Sequence, residues 1–442
     1  MSRFSFFGLL LFVLGILQAQ PVDFQPLLEL NPSITDSTAI HVLQGEGEIT
    51  LIFLEETEAQ IFVLSSDMDL RNSFRLSDLP LPEEYTFLGF TDMPGSLHFC
   101  YQHQTDGAYE VLSVEKETGE PEWFGIDMGR LPRHSVYWGS FTHEGILHIL
   151  RMPRGGSSVR LCRFEGGQQF NTQEFELGHP EILQKAQYHF ARVEADSSQG
   201  LESTWYPGKM YLKDDRIYLS LDELGSTHLV EINLLSEEKK EWTLPAPGFS
   251  LGRDELISVK NNSLILGNYL YQAAASQDSL KIEVRSLRED QLIMAYAVGI
   301  EDSTAFFRGD FVAQNSRGET ILLEDTQSWL DTLAGHPYLA LSGTVIQDTL
   351  LELQIGGVKL DHQLGLTGML VDQQINNCYF SIVLSIPSHT PASLPHADVA
   401  EMRFPPPIFW GKPHLTGFAN QQQKHLMYYD PEIQRIVLGS IH

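Results

Sequence analysis

Gly95-Ser96-Leu97-His98-Phe99 and, one unit later, Gly145-Ile146-Leu147-His148-Ile149 decide the fold. Each is a turn residue followed by a short strand. Gly47-Glu48-Ile49-Thr50-Leu51, Asp215-Arg216-Ile217-Tyr218-Leu219 and Asn262-Ser263-Leu264-Ile265-Leu266 repeat the pattern, and weaker copies begin at Gly318, near Asn376 and near Gln423. The third positions are Ile49, Leu97, Leu147, Ile217, Leu264, Thr320, Cys378 and His425, with steps of 48, 50, 70, 47, 56, 58 and 47. A floor with occasional insertions is what a stacked repeat produces. A partner strand follows each clear copy, as in Tyr109-Glu110-Val111-Leu112-Ser113-Val114 and Val159-Arg160-Leu161-Cys162-Arg163-Phe164. A closing run often follows, such as Glu122-Trp123-Phe124-Gly125-Ile126 or Glu241-Trp242-Thr243-Leu244. The links between them, Gln104-Thr105-Asp106-Gly107 for instance, have hairpin chemistry, because glycine supplies positive φ.

Four antiparallel strands in about 45 residues make one propeller blade. On these runs the chain resembles β-propeller repeat proteins over nearly all of its length. The resemblance is architectural and names no narrower family: there is no glycine doublet repeated as in kelch units, no repeated Trp-Asp pair and no Ser-Asp-Gly-Trp turn. The expected fold is all-β, a propeller of four-stranded blades, with eight blades preferred to seven. A pair of β-sandwiches would need a linker midway, and no Pro/Gly/Ser-rich stretch lies there. The last unit ends one strand short after Gln434-Arg435-Ile436-Val437-Leu438. Val22 to Leu30 is expected to supply the missing outer strand and close the ring, burying two exposed edges. Pro26 suits such an edge position.

The N-terminus carries a different signal. Met1 to Arg3 is positively charged, and Phe4 to Leu17 is a 14-residue, nearly unbroken apolar run. That is the core of a signal peptide and short of the ~20 residues needed to span a bilayer. Residues 1–19 read as the signal peptide, with cleavage after Ala19, and 20–442 as a single propeller domain, secreted or periplasmic. No later segment is apolar for long enough to predict a stable membrane span. Twenty-nine Lys and Arg against 58 Asp and Glu give a formal charge of −29, which argues against nucleic acid and against anionic membrane surfaces. A soluble monomer is expected. Cys100, Cys162 and Cys378 are odd in number and sit in strand-like runs, so they read as buried small hydrophobes.

Insertions are expected near 178–208, 324–375 and 386–410. In the first, Pro180 opens what reads as a short helix, with Ile182, Ala186, Phe190 and Val193 at helical spacing. The second contains Gly356-Gly357. The third has six prolines between Ile386 and Pro407 and ends in the apolar stretch Phe404 to Trp410. Phe404, Phe409 and Trp410 are therefore candidate binding residues. His98 and His148 occupy the same place in adjacent repeats and are also candidates, although Tyr218 and Ile265 follow them and no ligand ring forms. No metal site is assigned. No cofactor is predicted, and calcium stays open: Asp67-Met68-Asp69 lacks the glycine of a calcium loop, and Asp214-Asp215 reads as a solvated turn. Trp123 and Trp242 sit in matching closing strands and read as core packing. There is no Gly-x-Ser-x-Gly elbow, no phosphate loop and no His-Glu-x-x-His helix. No catalytic residues are assigned. The expected function is an exported binding or scaffold module for a protein or glycan partner, recognised through inter-blade loops. The alternatives are a propeller lyase or hydrolase with its site at the channel mouth, or a structural envelope protein.

Overall fold

A computed structural model describes residues 24–30, 39–45, 47–126, 135–153, 156–167, 169–178, 190–194, 201–223, 225–248, 259–289, 291–299, 311–314, 319–347, 350–364, 370–385, 390–391, 416–420, 423–430 and 435–441. These fold into seven β-sheets. Sheet 1 is the meander Ala39–Gly45, Glu48–Leu54, Ala59–Ser65 and Leu70–Leu76. Sheet 2 (Tyr85 to Ile126), sheet 3 (Ser135 to Glu176) and sheet 5 (Lys260 to Gly299) repeat that four-stranded order. Every ladder in these four sheets is antiparallel.

Burial explains why such short segments hold together. The second strand of each of these four sheets is covered on both faces: in Glu48–Leu54 and Ser96–His103 the five residues after the first are all buried. It therefore reads as a near-continuous apolar run rather than an alternating one. The fourth strand is mostly open to solvent, as in Leu70–Leu76 and Pro121–Ile126. First strands of successive sheets touch one another, so they lie innermost. Leu112, Phe99 and Phe90 of sheet 2 pack against Ile52 and Ile61 of sheet 1, and Met210 and Ile217 of sheet 4 (Phe190 to Pro245) against Phe141 and Leu150 of sheet 3. Face-to-face packing of radial four-stranded meanders is a β-propeller.

The tight turns between first and second strands lie on one face, here the hairpin face. The links from one sheet to the next lie on the opposite, connection face. Gly145 shows why its hairpin turn needs glycine. Its φ is +74°, and a Cβ there would meet Asp92 Cβ and Asp92 O at 3.2 Å. The Asp92 N–H donates to Gly145 O at 2.6 Å, locking the turn of sheet 3 onto sheet 2.

Two sheets depart from the plain meander. Sheet 4 has five strands, the first being Phe190–Glu194, which runs parallel to Gly208–Lys213. The expected helix is thus a strand at Phe190 and Val193; its earlier part lies outside the described residues. Val193 is buried, and the pairing satisfies backbone groups that an isolated turn of helix would leave open. Leu201–Thr204 forms a short helix further along the same insertion.

Sheet 6 has six strands. The chain enters at its outer edge through Phe311–Gln314 and Thr320–Leu323 and passes through the helix Thr326–Ala334. It then lays Tyr338–Gln347 against Leu350–Leu364 and Leu370–Ser385. The sequence copies at 320 and 378 both fall in this one sheet, so the described residues hold seven sheets where eight units were counted. Within the expected insertion at 324–375, the described residues form the helix Thr326–Ala334 and strands of this sheet. Gly356 is in close contact there, since a Cβ on it would lie 2.1 Å from Cys378 O. Gly356→Ala is expected to force these strands apart and cost about 1–3 kcal/mol, read as a lower urea midpoint.

In the last sheet the order is Phe24–Leu30, Arg435–Ile441, Gln423–Asp430, Thr416–Asn420. Phe24–Leu30 pairs antiparallel with Arg435–Ile441, with a register shift between Pro26 and Leu28. Leu30 is buried against Ile49, Leu51 and Phe53 of sheet 1.

Candidate functional site

Among the described residues, the helix Leu201–Thr204 and the end of the helix Thr326–Ala334 stand toward the connection face. The longer helix is capped at its start by Asp325, whose carboxylate accepts from the Ser328 N–H at 2.8 Å. At its end Lys260 Nζ donates to Leu333 O at 2.8 Å and Ala334 O at 3.0 Å, and also to His336 O. A lysine on the last carbonyls of a helix satisfies groups with no intrahelical partner. Trp205 stacks on Tyr206 and packs against Tyr338 on the same face.

A pocket enclosing about 170 Å³ opens on this face between sheets 1 and 2. Leu54, Glu55 and Glu56 border it from sheet 1, Leu79, Pro80 and Pro82 from the link between the sheets, and Tyr85, Phe87 and Tyr101 from sheet 2. Backbone bonds hold its rim: Leu79 N donates to Thr57 O, Tyr85 N to Leu81 O and Gln104 N to Glu84 O. The Gln104 side chain donates to Pro82 O at 2.7 Å. The Tyr85 hydroxyl donates to Glu110 at 3.1 Å. Burial, then Glu110, Glu84 and Asp106, push that hydroxyl's pKa up. Beside the pocket, Leu81 is 50% exposed and Trp123 45% exposed. Trp123 contacts Tyr101 at 5.8 Å between ring centroids. The expectation that Trp123 packs in the core is corrected here. Its strand is the outermost of sheet 2, so one ring face has no sheet over it. Trp242, the matching residue of sheet 4, is partly buried against the large cluster of sheets 4–6.

His98 and His148 are both buried and lie in different sheets. The His98 ring sits between Phe124 and Phe164, with Nε2 2.9 Å from Ser96 Oγ. The His148 ring stacks on Phe141 at 5.0 Å, and Nδ1 donates to Ile146 O at 3.0 Å. Burial lowers both imidazole pKa values, that of His148 to about 4. Phe404, Phe409 and Trp410 lie outside the described residues. Cys100, Cys162 and Cys378 are free and buried, as expected, and burial pushes each thiol up, Cys378 to about 12. None is a ready thiolate.

Two polar groups escaped the sequence reading. On the hairpin face His143, Glu144 and Asp215 bring ligand atoms within 4.8 Å of one another, with His143 Nε2 3.1 Å from Asp215 Oδ1. One imidazole and two carboxylates are metal-ligating types. The cluster spans the first hairpin turns of sheets 3 and 4, and the equivalence of those two turns in the repeat was the signal that could have found it. On the connection side, between sheets 4 and 5, Asp222 is buried. It accepts from Lys209 Nζ at 3.0 Å, Thr227 Oγ1 at 2.7 Å, Ser263 N at 2.9 Å and Ser263 Oγ at 3.0 Å. Gln272 Nε2 donates on to Thr227 Oγ1 at 3.1 Å.

No protein-family model matches the chain, and no curated protein matches it. Among solved structures, the WD40 domain of SCAP from fission yeast is similar at 10% identity, over 95% of this chain and 98% of that one, with a TM-score of 0.25. The dihydro-heme d1 dehydrogenase NirN, in complex with DHE, matches at 8% identity over 91% of this chain and 67% of that one, with a TM-score of 0.34. A lignostilbene dioxygenase from Pseudomonas brassicacearum matches at 11% identity over 56% and 60%, with a TM-score of 0.27. Scores of this size carry no functional argument. The β-propeller assignment rests on the seven sheets themselves.

Proposed function

We propose that the chain is an exported, single-domain propeller of seven blades that binds a protein or glycan partner through the loops of its connection face. The observation that carries this reading is the aromatic pocket between sheets 1 and 2, flanked by exposed Leu81 and Trp123. Binding sites concentrate on loops held by a rigid scaffold, and a concave apolar site with a few polar groups is the ordinary form of one. Tryptophan and tyrosine supply large contact area to proteins and stacking platforms to sugars. The test compares partner or glycan binding by the wild type, by the double variant Trp123→Ala/Tyr85→Ala, and by Glu144→Gln on the opposite face. Binding is expected to weaken at least about tenfold in the double variant alone, the scale of a hot-spot truncation. Loss in Glu144→Gln with full binding by the double variant would refute the reading.

Closure belongs to the same proposal. Phe24–Leu30 pairs antiparallel with Arg435–Ile441 at one edge of the last sheet, and on this reading it is the outer strand that closes the ring. Deleting residues 20–36 is then expected to lower the melting temperature by several degrees, because a terminal sheet would lose its outer strand and expose an edge. An unchanged melt would sink the closure.

A further inference from the structure

We propose that the pocket between sheets 1 and 2 takes the alkylammonium end of a lysine side chain presented by a partner protein. This rests on the connection face being the binding face and names the chemistry it recognises. Tyr85, Phe87 and Tyr101 line the pocket together with Glu55 and Glu56. Ring faces attract a cation through their quadrupole, and carboxylates complement its charge. Glu110 accepts from the Tyr85 hydroxyl at 3.1 Å, and Glu84 and Asp106 lie close enough to act on it; the cation beside the pocket is Arg75, paired with Glu58 and close enough to Glu55 to act with it. No lysine or arginine lines it among the described residues. The chain's formal charge of −29 draws cations toward this surface at long range.

Size and surroundings set the source of the cation. About 170 Å³ suits a lysine's four-carbon stem and ammonium head and is too small for a folded element. The exposed Leu81 and Trp123 beside the pocket would stay uncovered by a free amine. Residues flanking a lysine in a polypeptide would cover them.

The experiment is calorimetric titration of the full chain with a short blocked peptide holding one central lysine. Its norleucine counterpart and n-butylammonium are titrated in parallel. The lysine peptide is expected to bind at least about tenfold more tightly than either, and less tightly at high salt. Glu56→Gln and Tyr85→Leu should each weaken it about three- to tenfold. Glu56 is exposed, so its variant tests the charge without risk to folding. Equal binding of the norleucine peptide would overturn the role of the cation. Butylammonium binding as tightly as the peptide would overturn the polypeptide source. No binding of the lysine peptide, with partner binding still lost in the Trp123→Ala/Tyr85→Ala variant, would overturn this inference and leave the broader reading standing. Lysine-peptide binding at the pocket, with partner binding mapped elsewhere, would do the reverse.

Discussion

Asp222→Ala is expected to destabilise the chain by about 3–5 kcal/mol, the scale of breaking a buried ion pair from one side. The side chains of Asp222 and Lys209 are 1% and 0% exposed, so neither charge can turn to water when its partner is removed. Burial already pulls the Lys209 ammonium pKa down, and Asp222 is what pulls it back up. The alanine leaves that ammonium uncompensated and strips the acceptor from Thr227 Oγ1 and from both donors of Ser263. Ser263 opens the turn-side half of its strand in sheet 5, so the damage spreads from sheet 4 to the packing between sheets. The double variant Asp222→Leu/Lys209→Met should recover much of the loss, because a buried pair replaced by apolar groups is often near neutral. Urea unfolding of the two variants checks this. A cost below about 1 kcal/mol for Asp222→Ala would mean that water reaches the pair.

The blade pattern was legible because each second strand is buried on both faces and each hairpin turn needs a special backbone. Gly95 and Gly145 mark the same place in adjacent sheets, and the apolar runs after them are well-buried strands. The pattern failed where the chain stops following its own repeat. Sheet 6 takes its outer strands before its inner ones, so Thr320 and Cys378, fifty-eight residues apart, sit in one sheet and mimic two units. In the 178–208 insertion, Phe190 fits both the helical spacing that includes Val193 and the alternating set Tyr188, Phe190 and Arg192, and only pairing with Gly208–Lys213 decides between them.

The polar features were hidden for a different reason. Lys209, Asp222 and Ser263 are ordinary strand residues in sequence, and their partnership exists only across two sheets. The pocket likewise combines the Glu55-Glu56 turn, the Leu79–Pro82 link and one face of sheet 2. In sequence, Glu55-Glu56-Thr57-Glu58 is an acidic cluster that reads as a solvated turn. Its neighbours across the inter-sheet gap are aromatic, and that changes what the same carboxylates can do. Trp123 was misplaced because equivalence to Trp242 suggested equal burial. Sheet 4 has the bulky cluster of sheets 5 and 6 beside it, and sheet 2 leaves its outer strand open.

The second large effect is loss of stability in mild acid. Burial, reinforced by His143 and Arg163 and opposed by the Ile146 carbonyl, holds the His148 pKa at about 4 against an ordinary 6.5. Between those values the unfolded chain binds a proton that the folded chain does not. Unfolding therefore takes up protons in that window, and stability falls as pH drops. The contribution is fully present above pH 6.5 and is lost as pH falls toward 4, about 3 kcal/mol for this one imidazole. His98, lowered by burial alone, and His41, lowered by burial and then Arg192, act in the same direction. Asp92 opposes them in the most acidic part of the range, because burial raises its pKa against the pull of Lys116 and protonation then favours the folded state. Urea unfolding at pH 7.5, 6, 5 and 4.5 should show a steady fall for the wild type. His148→Phe keeps a ring against Phe141 but loses the bond to Ile146 O. It should start about 1 kcal/mol lower at pH 7.5 and fall less steeply. An equal slope in the two proteins would show that His148 protonates in place, and that the stacked, desolvated site between sheets 3 and 4 opens to water before the fold is lost.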